Sequence, residues 1–333
     1  MSSAAPTPTL ADAIDVHSHF LTPRYRDEAI AAGHARPDGM PALPDWSIET
    51  TVAMMDEMGI RSSILSVSSP GVHFGDDAEA RALARHVNDE AAKVVAEHSA
   101  RFGMFASLPL PDVDGALEEV AYAFDTLKAD GVVLQTNHNG AYLGDERLDP
   151  LLAELDRREA CIFIHPTSPI CSCCQSPGLR YPRPMMEFMF ETARTVFDLI
   201  LSGALDRHPR LKIIVPHAGA TIPVLADRVA SMIPMLGVEA SLGAPQFFGH
   251  LKRFYFDLAG QPVPRLLAAL LTIADEDRLL YGTDWPFTPR PFVTRLAEAL
   301  AATPLLSAAA RTKMTRENAF ALFPRFAPAM APV

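Results

Sequence analysis

Residues 13–19 read AIDVHSH, a short apolar lead followed by two histidines in alternate positions. We predict a strand over 13–17 that carries this motif at its end. Side chains alternate between the two faces of an extended strand, so His17 and His19 should point the same way. Two imidazoles on one face can chelate one divalent ion. The alternative is a pair of ordinary polar residues at a strand end.

Seven further apolar runs share the length and composition of the first. They are rich in β-branched or aliphatic residues and are bounded by Gly, Pro, Asp or Ser, as strands usually are. Their nearly continuous apolar character is typical of parallel strands covered on both faces. The eight predicted strands are 13–17, 61–67, 102–108, 131–135, 160–164, 211–216, 253–258 and 278–282.

Helical patterns separate these strands. Strands that alternate with helices predict an α/β fold, and eight of them predict a (β/α)8 TIM barrel with long loops after strands 1 and 5. A doubly wound open sheet is the alternative. We expect one barrel domain over 13–333, after a disordered N-terminal segment over 1–12. The predicted helices are 48–58, 77–98, 114–128, 147–158, 187–203 and 263–275, and the long loops are 20–47 and 166–186.

Three later strands also end in a residue that can bind a metal or transfer a proton. His165 follows strand 5, His217 follows strand 6 and Asp284 follows strand 8. A single residue of this kind at a strand end is most often structural. In a barrel, however, all these strand ends meet at one mouth. Neutral imidazoles and a carboxylate are ligands that suit zinc or another first-row divalent ion.

These motifs resemble those of the amidohydrolase superfamily. Within it they resemble the branch of metal-dependent decarboxylases that includes the aminocarboxymuconate semialdehyde, γ-resorcylate and 6-methylsalicylate decarboxylases, the last most closely. The resemblance spans about residues 13 to 325. Besides the strand-end residues, the segments that carry it are HAG at 217–219, GTDWP at 282–286, LSVSSPG at 65–71, GAYLGD at 140–145, FIHPTSP at 163–169 and RENAFALF at 316–323.

The resemblance implies a metal centre formed by His17, His19, His165 and Asp284. Its ion is expected to be zinc, with manganese as the alternative, and His217 is expected to lie beside it as a proton-transfer group. Many hydrolases of the superfamily hold two metals bridged by a carboxylated lysine that ends strand 4. The predicted strand 4 has no lysine, so one ion is expected.

The implied activity is non-oxidative decarboxylation of an aromatic carboxylic acid, most closely a salicylate such as 6-methylsalicylate. Either His217 or Asp284 could deliver the proton that replaces the carboxylate. Metal-dependent hydrolysis of an amide, ester or lactone is the alternative, because it also needs a Lewis acid and a proton shuttle. The family association further implies a homodimer or a larger homo-oligomer.

Five other residues are candidates for substrate contact. The aromatic side chains could stack on a ring, and an arginine could bind a carboxylate with two hydrogen bonds. Core packing is the alternative for the aromatic residues, and a solvated surface position is the alternative for the others. The candidates are Phe20, Arg24, Trp46, His73 and Trp285.

Bulk properties limit the partners of this chain. A net charge of −11 argues against nucleic acid and anionic membranes, which favour basic surfaces. No apolar run approaches the roughly 18 residues of a spanning helix. The absence of a secretory signal pattern and the crowding of three cysteines into 171–174 indicate a reduced, cytoplasmic protein. The role of that cysteine cluster stays open.

Overall fold

The AIDVHSH stretch forms the first of eight parallel strands, which follow one another around a barrel in sequence order. The computed structural model describes residues 10–171, 181–236 and 243–328. A small antiparallel hairpin pairs Asn137–His138 with Ala141–Tyr142 outside the barrel. The barrel strands are β1 Ala13–His19, β2 Ile60–Ser66, β3 Phe102–Ser107, β4 Gly131–Gln135, β5 Cys161–His165, β6 Lys212–Val215, β7 Tyr255–Asp257 and β8 Leu279–Leu280.

The segment after β8 closes the barrel by pairing with β1. The Val16 amide donates to the Tyr281 carbonyl at 3.0 Å, and the His19 amide donates to the Trp285 carbonyl at 2.6 Å. These bonds join the first strand to the last, which confirms the barrel and excludes the doubly wound sheet. Both β7 and β8 are shorter than predicted. After Leu280 the barrel closes through two isolated parallel bridges, one between Asp15 and Tyr281 and one between Ser18 and Trp285.

Helices occupy the connections between strands, as the patterns predicted. The helix over 48–58 is confirmed at both ends: the Ser47 side chain accepts from the Thr50 amide, and Gly59 ends the helix at a φ of 73°. The helix predicted over 263–275 is much shorter. The helices are α1 Pro23–Ala31, α2 Ile48–Met58, α3 Asp77–Glu97, α4 Val113–Asp125, α5 Asp149–Arg157, α6 Glu187–Leu201, α7 Ala204–Arg207, α8 Ile222–Leu236, α9 Ala244–Leu251, α10 Arg265–Leu270, α11 Arg290–Ala302, α12 Ala308–Thr312 and α13 Asn318–Leu322.

The connection after β1 differs from the loop predicted over 20–47, because it contains helix α1. Thr22 caps this helix by accepting from the Tyr25 amide, and Pro23 takes a first-turn position that needs no backbone donor. Helix α1 contains many charged residues, so its buried face, formed by Tyr25 and Ala29, is not evident from the sequence. In the connection after β5, residues 172–180 lie outside the described residues, and so do residues 1–9 of the predicted N-terminal segment.

Apolar side chains fill the barrel and the layer between strands and helices. The inner cluster includes Ile14, Val16, Phe105 and Phe163, and residues of the C-terminal segment such as Phe323 pack against it. A filled interior makes the barrel a rigid support and leaves function to the mouth. Within the described ranges, no helix combines the length and apolar character needed to cross a bilayer.

Asp15 ties β1 to the end of β8. Its buried carboxylate accepts from the Thr283 amide at 2.9 Å, from the Thr283 hydroxyl at 2.7 Å and from the His17 amide at 3.1 Å. Removal of this acceptor would take a hydrogen bond from four buried donors, because Oδ2 also accepts from the Ser63 hydroxyl at 3.3 Å; the Thr283 hydroxyl keeps a second acceptor in the His17 carbonyl at 3.4 Å. The carboxylate therefore stabilises both the barrel closure and the strand that carries the two histidines.

We expect Asp15→Ala to lower the free energy of unfolding by roughly 2–4 kcal/mol, since unsatisfied buried donors carry that order of cost. Urea denaturation followed by circular dichroism measures the change. Asp27→Ala is the matched control, because Asp27 is exposed on α1, away from the barrel closure. Equal losses for the two variants would show that the Asp15 network contributes nothing specific.

Candidate metal centre and active site

Four side chains singled out by the motifs meet at the barrel mouth. One ligand atom from each of His17, His19, His165 and Asp284 lies within 4.8 Å of the other three. The two Nε2 atoms of His17 and His19 are 3.1 Å apart, and Asp284 Oδ1 is 3.2 Å from the Nε2 of His19. Polar atoms this close and this buried form a set that could hold a divalent metal ion.

Each imidazole in this cluster has its second nitrogen occupied. A partner on Nδ1 fixes the ring orientation and leaves Nε2 free to face the centre of the cluster. This arrangement is typical of histidines that bind metals. The contacts are His17 Nδ1 to Asp257 Oδ2 at 3.0 Å, His19 Nδ1 to the Ser66 hydroxyl at 2.9 Å, and His165 Nδ1 to the Pro166 carbonyl at 2.8 Å.

The cluster favours a positive charge at its centre. Burial disfavours the imidazolium form of His17, but Asp257 and Asp284 outweigh burial and raise the pKa of His17 to about 10. Burial would raise the pKa of Asp284, yet hydrogen bonds from His17, His19 and His217 hold it well below its usual range. Burial lowers the pKa of His165. A divalent ion would supply the positive charge that the two carboxylates stabilise.

Asp257 is a site residue that the sequence analysis missed. It is fully buried at the end of β7, and its Oδ1 accepts from the backbone amides of His217 at 3.1 Å and Ala259 at 3.0 Å. Its other oxygen contacts His17. A signal was present, because an acid lies one residue before the end of the strand predicted over 253–258. Asp257 thus links a candidate ligand to the segment that carries His217.

His217 lies beside the four-residue cluster. It follows β6 in a tight turn with a φ of 53°, a left-handed conformation that residues other than glycine rarely adopt. Its Nε2 is 3.9 Å from Asp284 Oδ2, and its ring centroid is 5.1 Å from that of His17. Among the described residues, its Nδ1 has no hydrogen-bond partner. The strained turn brings an imidazole with spare hydrogen-bonding capacity to the edge of the cluster.

A cavity of about 440 Å³ opens above the cluster. His165, His217 and Asp284 lie at its base, and Ser68 and Thr288 add polar groups. Much of the rest is apolar, including Met40, Met185, Phe188, Met189, Leu266 and Phe287. No lysine or arginine is among the lining residues that the structure describes. The dimensions and the mixed lining suit a small ligand with an apolar body.

The aromatic candidates for substrate contact lie elsewhere. Phe20 is buried and packs against Trp46 with ring centroids 5.9 Å apart, and Trp285 donates from Nε1 to the Thr51 hydroxyl at 3.1 Å. None of the three lines the cavity above the cluster. These side chains pack against α2 and the hydrophobic core instead, although residues close to them in sequence, such as His19 and Asp284, belong to the cluster. Phe287, two residues after Trp285, does line the cavity.

The two polar candidates also lie away from this cavity. Arg24 is on the exposed side of α1 and pairs with Glu28 at 2.6 Å. His73 contacts Asp77 at 2.8 Å and lines a neighbouring cavity. Arg24 pairs along α1 with the residue four positions later, whereas His73 lies in the loop before α3 and contacts the first residue of that helix. In the cysteine cluster, Cys173 and Cys174 lie outside the described residues.

This combination of barrel and cluster occurs in a chain that matches a known protein family. The amidohydrolase family model matches residues 14–325, which is nearly the whole chain. The chain belongs to the amidohydrolase family. The match includes every residue of the cluster, together with Asp257 and His217.

Several relatives of this amidohydrolase are decarboxylases. It is 39% identical over 322 residues to a 6-methylsalicylic acid decarboxylase of Aspergillus aculeatus, covering 94% of this chain and 96% of the relative. It is 30% identical to a gamma-resorcylate decarboxylase of Rhodococcus jostii, covering 83% and 87%. A crystal structure of a dihydroxybenzoic acid decarboxylase from Polaromonas, with bound manganese and the inhibitor 2-nitroresorcinol, aligns with a TM-score of 0.81 at 25% identity, covering 96% of this chain and 98% of that one.

We expect Asp257→Asn to weaken the affinity of the amidohydrolase for a divalent ion about 10–100-fold, because the carboxylate that orients His17 loses its charge. Competition with a metallochromic chelator measures this affinity. Asp227→Asn, at an exposed position on α8, removes the same charge far from the cluster and should leave the affinity unchanged. If the two variants bind the ion equally well, Asp257 does not support the centre.

Proposed function

We propose that this amidohydrolase is a metal-dependent, non-oxidative decarboxylase of an aromatic carboxylic acid with a hydroxyl group beside the carboxylate. The leading candidate substrate is 6-methylsalicylate. The observation that carries the proposal is a His/Asp cluster with His217 at the base of a small, largely apolar cavity. The identity of 39% to a 6-methylsalicylic acid decarboxylase over nearly the full length supports the same reaction.

In this proposal His17, His19, His165 and Asp284 bind one divalent ion. The converging Nε2 atoms and the partner on each Nδ1 fit such a ligand set. When bound, the ion would act as a Lewis acid that stabilises negative charge on the carboxylate and the adjacent oxygen. Zinc suits three imidazoles and a carboxylate. Manganese is the alternative, because the related Polaromonas structure contains it.

The apolar walls of the cavity position the ring. Phe188, Met189 and Phe287 offer flat or flexible apolar surfaces above the cluster, and a bound ring would displace water from them. The described part of the wall has no cationic side chain, so the charge of the carboxylate has to be met at the base. Such a cavity favours an uncharged ring with its polar groups on one edge, as in a salicylate.

His217 is the proposed proton donor. The carbon–carboxylate bond breaks, carbon dioxide leaves, and the ring carbon takes up a proton. Asp284 as a metal ligand would stay ionised, which favours the imidazole as the acid. The Nε2 of His217 lies 3.9 Å from Asp284 Oδ2, at the edge of the cluster that would hold the ion.

We also propose a cytoplasmic homodimer. Three large apolar side chains near the start of α6 are exposed: Met185 at 73%, Met186 at 41% and Phe190 at 40%. Burial of such side chains against a second copy would remove an apolar surface that monomers seldom expose. Light scattering that gives the 36.2 kDa of one chain at micromolar concentration would contradict the dimer.

A carbon dioxide release assay over a panel of salicylates tests the proposed reaction. The metal-loaded protein should release carbon dioxide from 6-methylsalicylate and form 3-methylphenol in equal amounts. The protein treated with a chelator should do neither until a divalent ion is restored. Hydrolysis of aryl esters or lactones, with no carbon dioxide from any salicylate, would favour the hydrolase instead.

We expect the purified protein to contain close to one divalent ion per chain, because the cluster offers one ligand set and β4 has no lysine. His17→Ala should reduce that content sharply, since three protein ligands remain. Plasma mass spectrometry measures both values. Two tightly bound ions per chain in the unaltered protein would contradict the mononuclear centre.

His217→Asn should retain the metal and lose about 10²–10⁴-fold in turnover, the usual contribution of a general acid. Metal content and 3-methylphenol formation are the two measurements. His98→Asn, at the end of α3, is the control for removal of an imidazole outside the site. Loss of metal together with activity would make His217 a ligand, and full activity would make it structural.

A further inference from the structure

The two oxygens of the Asp284 carboxylate have different surroundings. Oδ1 faces the imidazoles of the cluster, at 3.2 Å from His19 Nε2 and 3.4 Å from His17 Nε2. Oδ2 accepts a hydrogen bond from the Thr288 hydroxyl at 3.0 Å. His217 Nε2 is 3.9 Å from the same oxygen, so Thr288 is the closer partner. The carboxylate is therefore oriented with one oxygen in the cluster and the other bonded to a neutral hydroxyl.

Thr288 also holds Asp284 through the backbone. Its amide donates to the Asp284 carbonyl at 2.7 Å, which closes the segment over 284–288 into a compact turn. Asp284 begins this turn at a φ of 60°, in the left-handed region that a residue with a side chain rarely adopts. Such a conformation persists only where the surrounding contacts fix it. The two hydrogen bonds from Thr288 are contacts of this kind.

The sequence around Thr288 restricts its own movement. Its side chain is branched at Cβ, which limits rotation about χ1. Pro289 follows, and the residue before a proline is restricted to extended backbone. Helix α11 then begins at Arg290, whose side chain forms an ion pair with Glu57 of α2 at 2.8 Å. The hydroxyl is therefore attached to a fixed part of the barrel, as a group that orients a metal ligand has to be.

A hydroxyl bonded to Oδ2 has a specific consequence for a metal ligand. A carboxylate can bind an ion through one oxygen or through both. Because Thr288 occupies Oδ2, only Oδ1 is offered to the ion, and a position stays available to a substrate, as catalytic metal sites require. Each imidazole of the cluster already has a partner on Nδ1 that orients it. Thr288 gives the carboxylate a partner of the same kind.

We infer that Thr288 is a positioning residue of the metal centre, whose hydroxyl fixes the Asp284 carboxylate with Oδ1 toward the imidazoles. The inference rests on the proposed function, because it takes Asp284 as a metal ligand. It goes beyond that function by giving a role to a residue outside the ligand set. Since Thr288 acts through Asp284, loss of its hydroxyl should weaken ion binding even in the absence of a substrate.

Competition with a metallochromic chelator, without substrate, measures the affinity of each variant for zinc. Thr288→Val nearly keeps the shape of the side chain but removes the hydroxyl, so the affinity should fall about 10–100-fold, the usual effect of losing a group that orients a ligand. Thr288→Ser keeps the hydroxyl and should lose less than about tenfold. Thr294→Val is the matched control, because the Thr294 hydroxyl donates within α11 to the Arg290 carbonyl at 3.1 Å. Its zinc affinity should equal that of the unaltered protein.

Steady-state kinetics at saturating zinc separates positioning from substrate contact. The KM for 6-methylsalicylate should be unchanged in Thr288→Val. A raised KM with unchanged zinc affinity would place the hydroxyl against the substrate and overturn the inference. Equal zinc affinities in Thr288→Val and Thr294→Val, or equal losses in Thr288→Val and Thr288→Ser, would also overturn it.

The same measurements separate failure of this inference from failure of the proposed function. If the unaltered protein binds zinc but releases no carbon dioxide from any salicylate, the proposed reaction is wrong, while the zinc affinities still decide the role of Thr288. If the unaltered protein binds no divalent ion, both are wrong. If only the expected difference between the Val and Ser variants is missing, the inference alone is wrong.

Discussion

The pairing of β1 with the segment after β8 is the constraint on which the rest of the structure depends. The Asp284 amide donates to the His17 carbonyl at 2.7 Å, so a bond that closes the barrel also joins the backbones of two candidate ligands. Asp15 supports the same junction through Thr283. Because closure and ligand geometry share these contacts, a change that opens the barrel seam also disperses the cluster.

The site combines a charged base with an apolar space above it. Asp257 and Asp284 stabilise positive charge within a group of imidazoles, while much of the cavity wall above them is apolar. In a buried environment of this kind an ion–carboxylate contact is stronger than in water, because few water dipoles screen it. In the proposed reaction, a ring that fills this cavity would displace water from the carbon to which His217 delivers a proton.

Short-range patterns predicted the barrel and the polar residues at its strand ends, and the resemblance to the amidohydrolase superfamily singled out four of these residues as metal ligands. Apolar runs identify strands, and a polar residue at a strand end faces the mouth wherever the barrel closes. The sequence did not predict the orientation of side chains in the loops that follow the strand ends. Trp285 follows Asp284 directly yet points toward Thr51, and Arg24 belongs to a helix whose charged residues hide its pattern. The strand predicted over 253–258 ran past Asp257 to Leu258, whereas β7 ends at Asp257, so Asp257 did not stand at a predicted strand end.

Decarboxylation in deuterium oxide tests the central claim most directly. If the metal centre replaces the carboxylate of 6-methylsalicylate by a solvent proton, nuclear magnetic resonance should show 3-methylphenol with one deuterium at the carbon that carried the carboxylate. The label should appear with the metal-loaded protein and not with the chelated protein. Recovery of unchanged 6-methylsalicylate from the fully metal-loaded protein, without labelled product, would contradict the account.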